Sequence, residues 1–177
     1  PDPSRTWHEW LVPVWGMGFT LLALRLLAAH LLLRCAMRGC SIVRATPGDA
    51  EADRLLAQLA ATCGQLGVRQ RVTLLLDEKR TIPLVWGVFR PRLLLPAESQ
   101  EWSDDQVRSV LLHELAHIQR RDTLAQWLTQ IACALHWWNP LVWLAGWRLH
   151  AERERACDDL VLASGVRASA YAEHLLH

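Results

Sequence analysis

The hydrophobic pattern begins with an apolar run from Leu11 to Leu33 that contains one charged residue, Arg25. A helix of these 23 residues spans about 34 Å, which is enough to cross the hydrocarbon core of a bilayer. The run predicts a transmembrane helix in which Pro13 lies in the first turn, where proline is tolerated. A buried core helix is the alternative, because Arg25 is costly in lipid. Aromatic residues typical of a membrane interface lie near the start of the run: Trp7, Trp10 and Trp15.

The charges on the two sides of this run differ. The segment before it carries both signs, whereas three arginines follow it: Arg34, Arg38 and Arg44. Because arginine and lysine favour the cytoplasmic side, everything after residue 34 is expected to face the cytoplasm. We therefore interpret residues 1–34 as a flank and transmembrane helix, and residues 45–177 as a cytoplasm-facing domain. Because residue 1 is proline, we expect the chain to be a piece of a longer protein.

The next predicted element is an amphipathic helix. Thr46 is the expected N-cap, Pro47 the first helical residue, and Asp49 completes a capping box. The helix should run to about Cys63, with its apolar stripe on a sheet. Two glycines follow and are expected to end it: Gly64 and Gly67.

Three short strands are predicted at residues 72–76, 83–89 and 92–95. Because proline cannot donate to a strand ladder, Pro91 and Pro96 place the last two strands at sheet edges. An exposed edge is able to pair with an extended peptide. The pattern therefore indicates a small sheet with an exposed edge.

A second capping box, formed by Ser103 and Gln106, predicts a helix that continues to about Arg121. Its apolar positions recur at helical spacing on one face. These positions are Val107, Leu111, Leu115 and Ile118.

Residues 123–147 carry no charged side chain. We expect two helical pieces bent near Pro140, partly buried in protein and partly membrane-associated, rather than a second span. A last helix is predicted from near Leu141 or Trp147 to about Ala163. The whole pattern predicts an α+β fold that is mainly helical, with an N-terminal transmembrane helix.

Composition narrows the function classes. Hydrophobic residues make up 51% of the chain and charged residues 21%, which excludes a disordered chain. The net charge of +1 gives no bulk basicity, so no direct nucleic-acid partner is expected. Ten tryptophans against one tyrosine and two phenylalanines fit a chain that contacts membrane lipid. The five cysteines form no CxxC pair, which favours reduced thiols.

Residues 113–117 form an HExxH motif inside the helix predicted from Ser103. His113 and His117 lie one turn apart, so both imidazoles project from one face and can bind one Zn²⁺. Glu114 is then placed to act as general base toward the water of such a site. Alone the motif is only suggestive, because a catalytic zinc also needs a third protein ligand and an open position.

Glu154 is the predicted third ligand, on the last helix. Asp158 follows one turn later on the same face, where it can accept a hydrogen bond from a ligand histidine. Glu152 is a competing candidate on a different side of the helix. The alternative interpretation is a solvated helix of alternating charge over residues 152–155.

Several other polar residues near the motif are interpreted as an oxyanion donor, as a core residue or as part of a helix end. The donor that would stabilise an oxyanion is left open among four residues: His150, Arg153, Arg155 and Tyr171. Cys157 is expected to face elsewhere on its helix as a small buried hydrophobe. Residues 120–122, Arg-Arg-Asp, are interpreted as a helix C-terminus.

Three motifs, in this order, resemble the zinc-peptidase module of the BlaR/MecR family of beta-lactam-sensing signal transducers. They are HELAHIQRRD (113–122), HWWNP (136–140) and RERACDD (153–159). The segment 83–96 and the pair Tyr171-Ala172 also fit the family pattern. The resemblance covers roughly residues 45 to 176.

The resemblance implies a gluzincin-like fold on the cytoplasmic side of the bacterial inner membrane. It implies that His113, His117 and Glu154 bind zinc, that Glu114 is the general base, and that Asp158 orients a ligand. It also implies an endopeptidase that cleaves a cytosolic protein such as a transcriptional repressor. The family's outer sensor domain is not expected within this chain, so a beta-lactam signal is not carried over.

Two other functions are weighed against this one. A non-proteolytic signalling module could keep zinc for structure, but Glu114 would contribute nothing there and a closed site favours four protein ligands. A housekeeping metallopeptidase that trims misfolded or prenylated proteins is disfavoured by the short spacing between His117 and Glu154, which leaves no room for two full spans.

Overall fold

The computed structural model describes residues 8–37, 40–44, 48–78 and 82–164. These residues form a mainly helical α+β chain with one small sheet, as predicted. The helices are α1 (His8–Ala36), α2 (Ala50–Leu66), α3 (Asp104–Gln119), α4 (Asp122–Leu135) and α5 (Pro140–Ala163). The strands are β1 (Ser41–Ile42), β2 (Thr73–Asp77), β3 (Leu84–Trp86) and β4 (Arg92–Pro96), and a 3₁₀ turn covers Ala97–Gln100.

The chain divides into two compact units. The first consists of Pro1–Arg38 with Trp127–Leu149, and the second of Gly39–Gln126 with His150–His177. The HExxH motif and the acidic residues of the last helix all belong to the second unit.

The core of the second unit is built from leucines of α2, α3 and the sheet. Helix α2 packs against α3, and the buried face of α3 is the one predicted from its spacing. The buried members of this core are Leu55, Leu59, Leu74, Leu93, Leu95, Val107, Leu111, Leu115 and Ile118. Because α3 is fixed on this face, its opposite side is available for the motif histidines.

The start and end of α2 differ from the prediction. Asp49, rather than Thr46, is the N-cap, and its carboxylate accepts a hydrogen bond of 3.0 Å from the Ala52 amide. Thr46 and Pro47 lie outside the described residues. The helix passes through Gly64, because a single glycine costs helical stability without preventing the conformation. It ends at Gly67, whose φ of 66° is the left-handed conformation typical of a helix end.

The sheet has the strand order β1-β2-β4-β3. Strands β2 and β4 are parallel, while β1 pairs with β2 and β3 with β4 in antiparallel fashion. The edge position predicted for the 83–89 segment is confirmed, but that predicted for residues 92–95 is wrong. Pro91 precedes β4 and Pro96 is its last residue, so neither proline removes a donor from the middle of the ladder. Strand β1 was not predicted, because two residues carry too little pattern.

Strand β3 is shorter than predicted because the chain turns at Gly87. Gly87 has a φ of 92°, and a Cβ there would lie 2.6 Å from the carbonyl oxygen of Arg90. A side chain is therefore excluded by both conformation and space. The strand ends at Trp86, and the turn that follows leads to β4.

The capping box of α3 is confirmed. The Ser103 hydroxyl accepts a hydrogen bond from the Gln106 amide at 3.3 Å, and the Gln106 side chain accepts one from the Ser103 amide at 2.8 Å. The helix ends at Gln119, two residues earlier than predicted, because Arg121 adopts a positive φ of 59°. This turn starts α4 immediately afterwards at Asp122.

Residues 123–147 form two helical pieces, as predicted. The second piece begins at Pro140 and is continuous with the last predicted helix, so α5 runs unbroken to Ala163. Proline is favourable there because backbone amides in the first turn of a helix have no acceptor within the helix, so the amide hydrogen that proline lacks costs no hydrogen bond. Gly165, beyond this helix, lies outside the described residues.

Helix α1 is longer than the predicted span. Within the described residues, Glu9–Ala36 is long and apolar enough to cross a membrane, with a mean hydropathy of 1.7 and none of that stretch buried. Pro13 lies inside the helix rather than in its first turn, since the helix already includes His8. In the same unit, the Trp15 indole donates to the Leu135 carbonyl at 3.0 Å.

Candidate metal centre

The structure brings His113, His117 and Glu154 together. Helix α3 presents the two imidazoles, whose ring centroids are 5.1 Å apart. Helix α5 presents the carboxylate, with Glu154 Oε2 3.8 Å from His113 Nε2 and 3.9 Å from His117 Nε2. Each of the three residues offers a ligand atom within 4.8 Å of the others. The two helices therefore converge on one point between these atoms.

The other nitrogen of each imidazole faces an aspartate. His113 Nδ1 lies 3.3 Å from Asp158 Oδ1, which is the aspartate that the sequence analysis placed beside a histidine. His117 Nδ1 lies 2.8 Å from Asp122 Oδ2. Hydrogen bonds from Nδ1–H to these carboxylates leave both Nε2 atoms as acceptors. Both Nε2 atoms are thus oriented toward Glu154 as potential metal ligands.

Asp122 was missed as a site residue. From the sequence we interpreted it as part of a helix C-terminus, but the positive φ of Arg121 makes it the first residue of α4 and brings its carboxylate to His117. The turn at Arg121 has no clear signal in the sequence, because arginine rarely adopts this conformation. The one signal that could have found it is the presence of a carboxylate five residues after His117.

Cys157 is buried, as predicted, but the prediction that it faces away from the site is wrong. Its Sγ lies 3.3 Å from His117 Nδ1 and 3.7 Å from Asp122 Oδ2. The reason is helical geometry, since Cys157 is three residues after Glu154 and shares its side of α5. Burial, with a smaller contribution from the Asp122 carboxylate, raises the pKa of the Cys157 thiol to about 12. The residue is therefore a neutral thiol beside the histidine.

The structure distinguishes the remaining candidates for the third ligand and for the oxyanion donor. Glu152 pairs with Arg155 at 2.8 Å and is absent from the His113–His117–Glu154 group in the part of the chain that the structure describes. Arg153 is buried and donates to the Asp122 carbonyl and the Gln126 side chain, so it is not available as an oxyanion donor. His150 is exposed, with Nδ1 3.7 Å from Glu154 Oε1. Tyr171 lies outside the described residues.

Burial shapes the protonation of the motif residues. It raises the pKa of Glu114 to about 7; the His117 imidazole lowers this pKa and the Glu154 carboxylate raises it. Burial also lowers the pKa of His113, aided by His117 and opposed by Asp158 and Glu154. A carboxyl group that titrates near neutrality can both accept and return a proton. Neutral imidazoles, in turn, are the form that binds metal.

These donors fit a divalent cation that prefers nitrogen and oxygen. Two imidazoles and one carboxylate are a donor set used by catalytic zinc sites, which keep a fourth position open. Ligand atoms on a tetrahedral zinc lie about 3.3 Å apart, so the observed 3.8 and 3.9 Å need to close by only about half an ångström. A second group, His117 with Asp122 and Cys157, also has suitable atoms, but its shortest distance is that of a hydrogen bond.

A narrow cleft adjoins His117. Gly87 and Val88, which belong to the turn that ends β3, line it together with His117, so this turn and the histidine lie on one opening. The lining residues are Gln70, Gly87, Val88, His117, Ile118, Arg121, Thr123 and Leu124.

Comparison with known proteins gives consistent matches. The sequence model of a family described as BlaR1 peptidase M56 matches residues 2–177. The regulatory protein BlaR1 of Bacillus licheniformis is 31% identical over 150 residues, which are 84% of this chain and 24% of that protein. The methicillin resistance mecR1 protein of Staphylococcus aureus is 24% identical over 95 residues, which are 53% of this chain and 16% of that protein. These matches confirm the resemblance that the three motifs indicated.

Proposed function

This chain belongs to the BlaR1 peptidase M56 family, and from that membership and the geometry of the centre we propose that it is a membrane-anchored zinc endopeptidase of a signalling pathway. Its substrate is a cytosolic protein such as a transcriptional repressor. The chain spans 24% of the length of the BlaR1 relative, so the activity of the whole protein, its outer sensor domain and its substrate are all part of this proposal.

The observation that carries the proposal is the approach of both Nε2 atoms to Glu154 Oε2, at 3.8 and 3.9 Å. His113, His117 and Glu154 are the proposed ligands, in a gluzincin-like arrangement of the two helices. When bound, Zn²⁺ supplies a Lewis acid that polarises the scissile carbonyl and acidifies water. Asp158 holds the ring of His113 by accepting from its Nδ1–H.

Glu114 is the proposed general base. Its carboxylate accepts a proton from the attacking water and later gives that proton to the leaving amine of the peptide. The raised pKa of this carboxyl group in the metal-free protein supports the role, because its proton is then shared readily near neutral pH. A site that held zinc only for structure would have no use for Glu114.

Strand β3 is the proposed docking edge for the substrate. It is the last strand of the sheet order, and one of its sides has no neighbouring strand in the described sheet. An extended peptide that pairs with this edge would have its register fixed before the reaction. The cleft from Gly87 and Val88 to His117 supports this path.

Helix α1 is the proposed anchor in the bacterial inner membrane, in contact with membrane lipid. Its apolar side chains are exposed, and Arg34 lies in its last turn. The positive-inside rule then puts residues 45–177, the proposed metallopeptidase domain, on the cytoplasmic side. No direct nucleic-acid partner is proposed for it.

Cleavage in cells tests the proposal. Protein N-termini would be compared by mass spectrometry between cells that carry the wild-type protein, the Glu114→Ala variant and the Glu152→Ala control. We expect new N-termini in a cytosolic protein with the wild type and the control, and none with Glu114→Ala, although that variant keeps its zinc. The same set of N-termini in all three strains would favour a non-proteolytic signalling module instead.

A further inference from the structure

The two imidazoles of the centre are oriented by aspartates in different environments. Asp158, which faces His113 Nδ1 at 3.3 Å, has a side chain that is 42% exposed. Asp122, which faces His117 Nδ1 at 2.8 Å, is only 10% exposed. A charge-assisted hydrogen bond is stronger when water is excluded from it. The shorter and more buried bond is therefore the one to His117.

Asp122 is itself held on several sides. The Cys157 thiol lies 3.7 Å from its Oδ2, and Arg120 Nε lies 3.6 Å from the same oxygen. Its carboxylate also lies at the N-terminus of α4, where the helix dipole favours a negative charge. These contacts fix the carboxylate before any metal arrives.

Arg153 joins the backbone of Asp122 to the helix that carries Glu154. The guanidinium is buried, with Nη1 donating to the Asp122 carbonyl at 3.1 Å and Nη2 to Gln126 Oε1 at 2.6 Å. Both acceptors are uncharged oxygens on α4. A buried cation is costly unless its hydrogen bonds are well made. The start of α4 is therefore tied to α5 one residue from Glu154.

We propose that Asp122 is a positioning residue of the metal centre: it accepts from His117 Nδ1–H, fixes the tautomer that leaves Nε2 free, and sets the plane of the ring. Arg153 and Cys157 keep Asp122 in place. Because Asp122 is more buried and closer than Asp158, its loss weakens metal binding more than the loss of Asp158. This inference deepens the proposed function and rests on it.

Zinc affinity of the purified chain in detergent, measured by competition with a chelator, tests the inference. We expect Asp122→Ala to lower the affinity about 10- to 100-fold, the range for lost outer partners of metal ligands. Asp122→Asn keeps an acceptor oxygen and should lose less, about tenfold. Asp158→Ala should lose less than Asp122→Ala, and Asp159→Asn, an exposed neighbour on α5, should match the wild type.

A second measurement separates positioning from a general effect on folding. Nitrogen NMR of the metal-free chain reports which imidazole nitrogen carries the proton. We expect His117 to be protonated on Nδ1 in the wild type and in Asp159→Asn, and to become a mixture of tautomers in Asp122→Asn. If Asp122→Ala fails to fold, Asp122→Asn alone decides the question.

Two outcomes overturn different claims. If His117→Ala loses its zinc but the folded Asp122 variants bind zinc within twofold of the wild type, the positioning role is wrong and the proposed zinc site stands. If His117→Ala keeps one equivalent of tightly bound zinc, the proposed ligand set fails and the positioning role fails with it.

Discussion

Glu114, the proposed general base, is a residue whose burial should lower the stability of the protein at neutral pH. Mainly because it is buried, its carboxyl group has a pKa of about 7, well above the ordinary value of 4.5 for a glutamate side chain. Between pH 4.5 and about pH 7 the folded protein therefore binds more protons than the unfolded chain, and its free energy of unfolding falls as the pH rises through this range. Above pH 7 the metal-free protein bears the full cost of an ionised, partly buried carboxylate.

Replacing this carboxyl group should remove that cost. We expect Glu114→Gln to stabilise the metal-free protein at pH 8, and to do so by about 2–3 kcal/mol more than at pH 5, because glutamine has the same shape and does not ionise. Denaturant unfolding of the metal-free wild type and variant at both pH values measures the difference. An equal effect at pH 5 and pH 8 would contradict the raised pKa.

At the scale of the elements, the turn after β3 determines where the sheet edge ends. Gly87 has a positive φ, and a Cβ added to it would lie 2.6 Å from the carbonyl oxygen of Arg90. The turn shortens β3 and brings its end to the cleft beside His117. The length of the exposed edge therefore depends on one glycine.

Two glycine substitutions should change stability in opposite directions. Gly87→Ala should lower the free energy of unfolding by about 2 kcal/mol, because both the backbone conformation and the Arg90 carbonyl oppose a Cβ. Gly64→Ala, at an exposed position in α2 with nothing within 4 Å of the added carbon, should raise it by about 0.5–1 kcal/mol. Thermal or denaturant unfolding of both variants checks this pair. A Gly87→Ala protein as stable as Gly64→Ala would show that the turn is not constrained.

Sequence patterns within a single helix predicted much of the site, whereas two contacts between different helices were not predicted. The capping box at Ser103 and the four-residue spacing of His113 and His117 are both properties of one helix, α3, so the sequence alone indicated them. Glu154 required only the donor chemistry that a zinc site needs. Asp122 and Cys157 depend on the turn at Arg121 and on the packing of α5 against α3 and α4, which no local pattern encodes.

At the scale of the whole molecule, α1 is a helix whose apolar surface is left uncovered. Exposed residues follow one another along it, among them Trp10, Met17, Leu24 and Leu32. A soluble protein rarely exposes so large a continuous apolar patch. A bilayer would make this surface favourable, as the proposed membrane anchor requires.

The orientation of α1 can be tested by cysteine labelling in intact cells. Cys35 is exposed near the end of α1, and the chain has four other free cysteines. The labelled variants therefore carry a single cysteine, either Cys35 or Trp10→Cys at the beginning of the helix, with the other native cysteines replaced by alanine. We expect a membrane-impermeant maleimide to label Trp10→Cys from outside, and Cys35 only after lysis, because three arginines follow the helix. Labelling of Cys35 in intact cells would reverse the proposed topology.

Zinc content tests the central claim most directly. Metal analysis would compare the purified wild type with His113→Ala, His117→Ala and Glu154→Ala, with Glu152→Ala as the matched control on the same helix. We expect one equivalent of zinc in the wild type and in Glu152→Ala, and loss of that zinc in the other three variants. Full zinc in Glu154→Ala together with its loss in Glu152→Ala would contradict the convergence of α3 and α5 on a single cation.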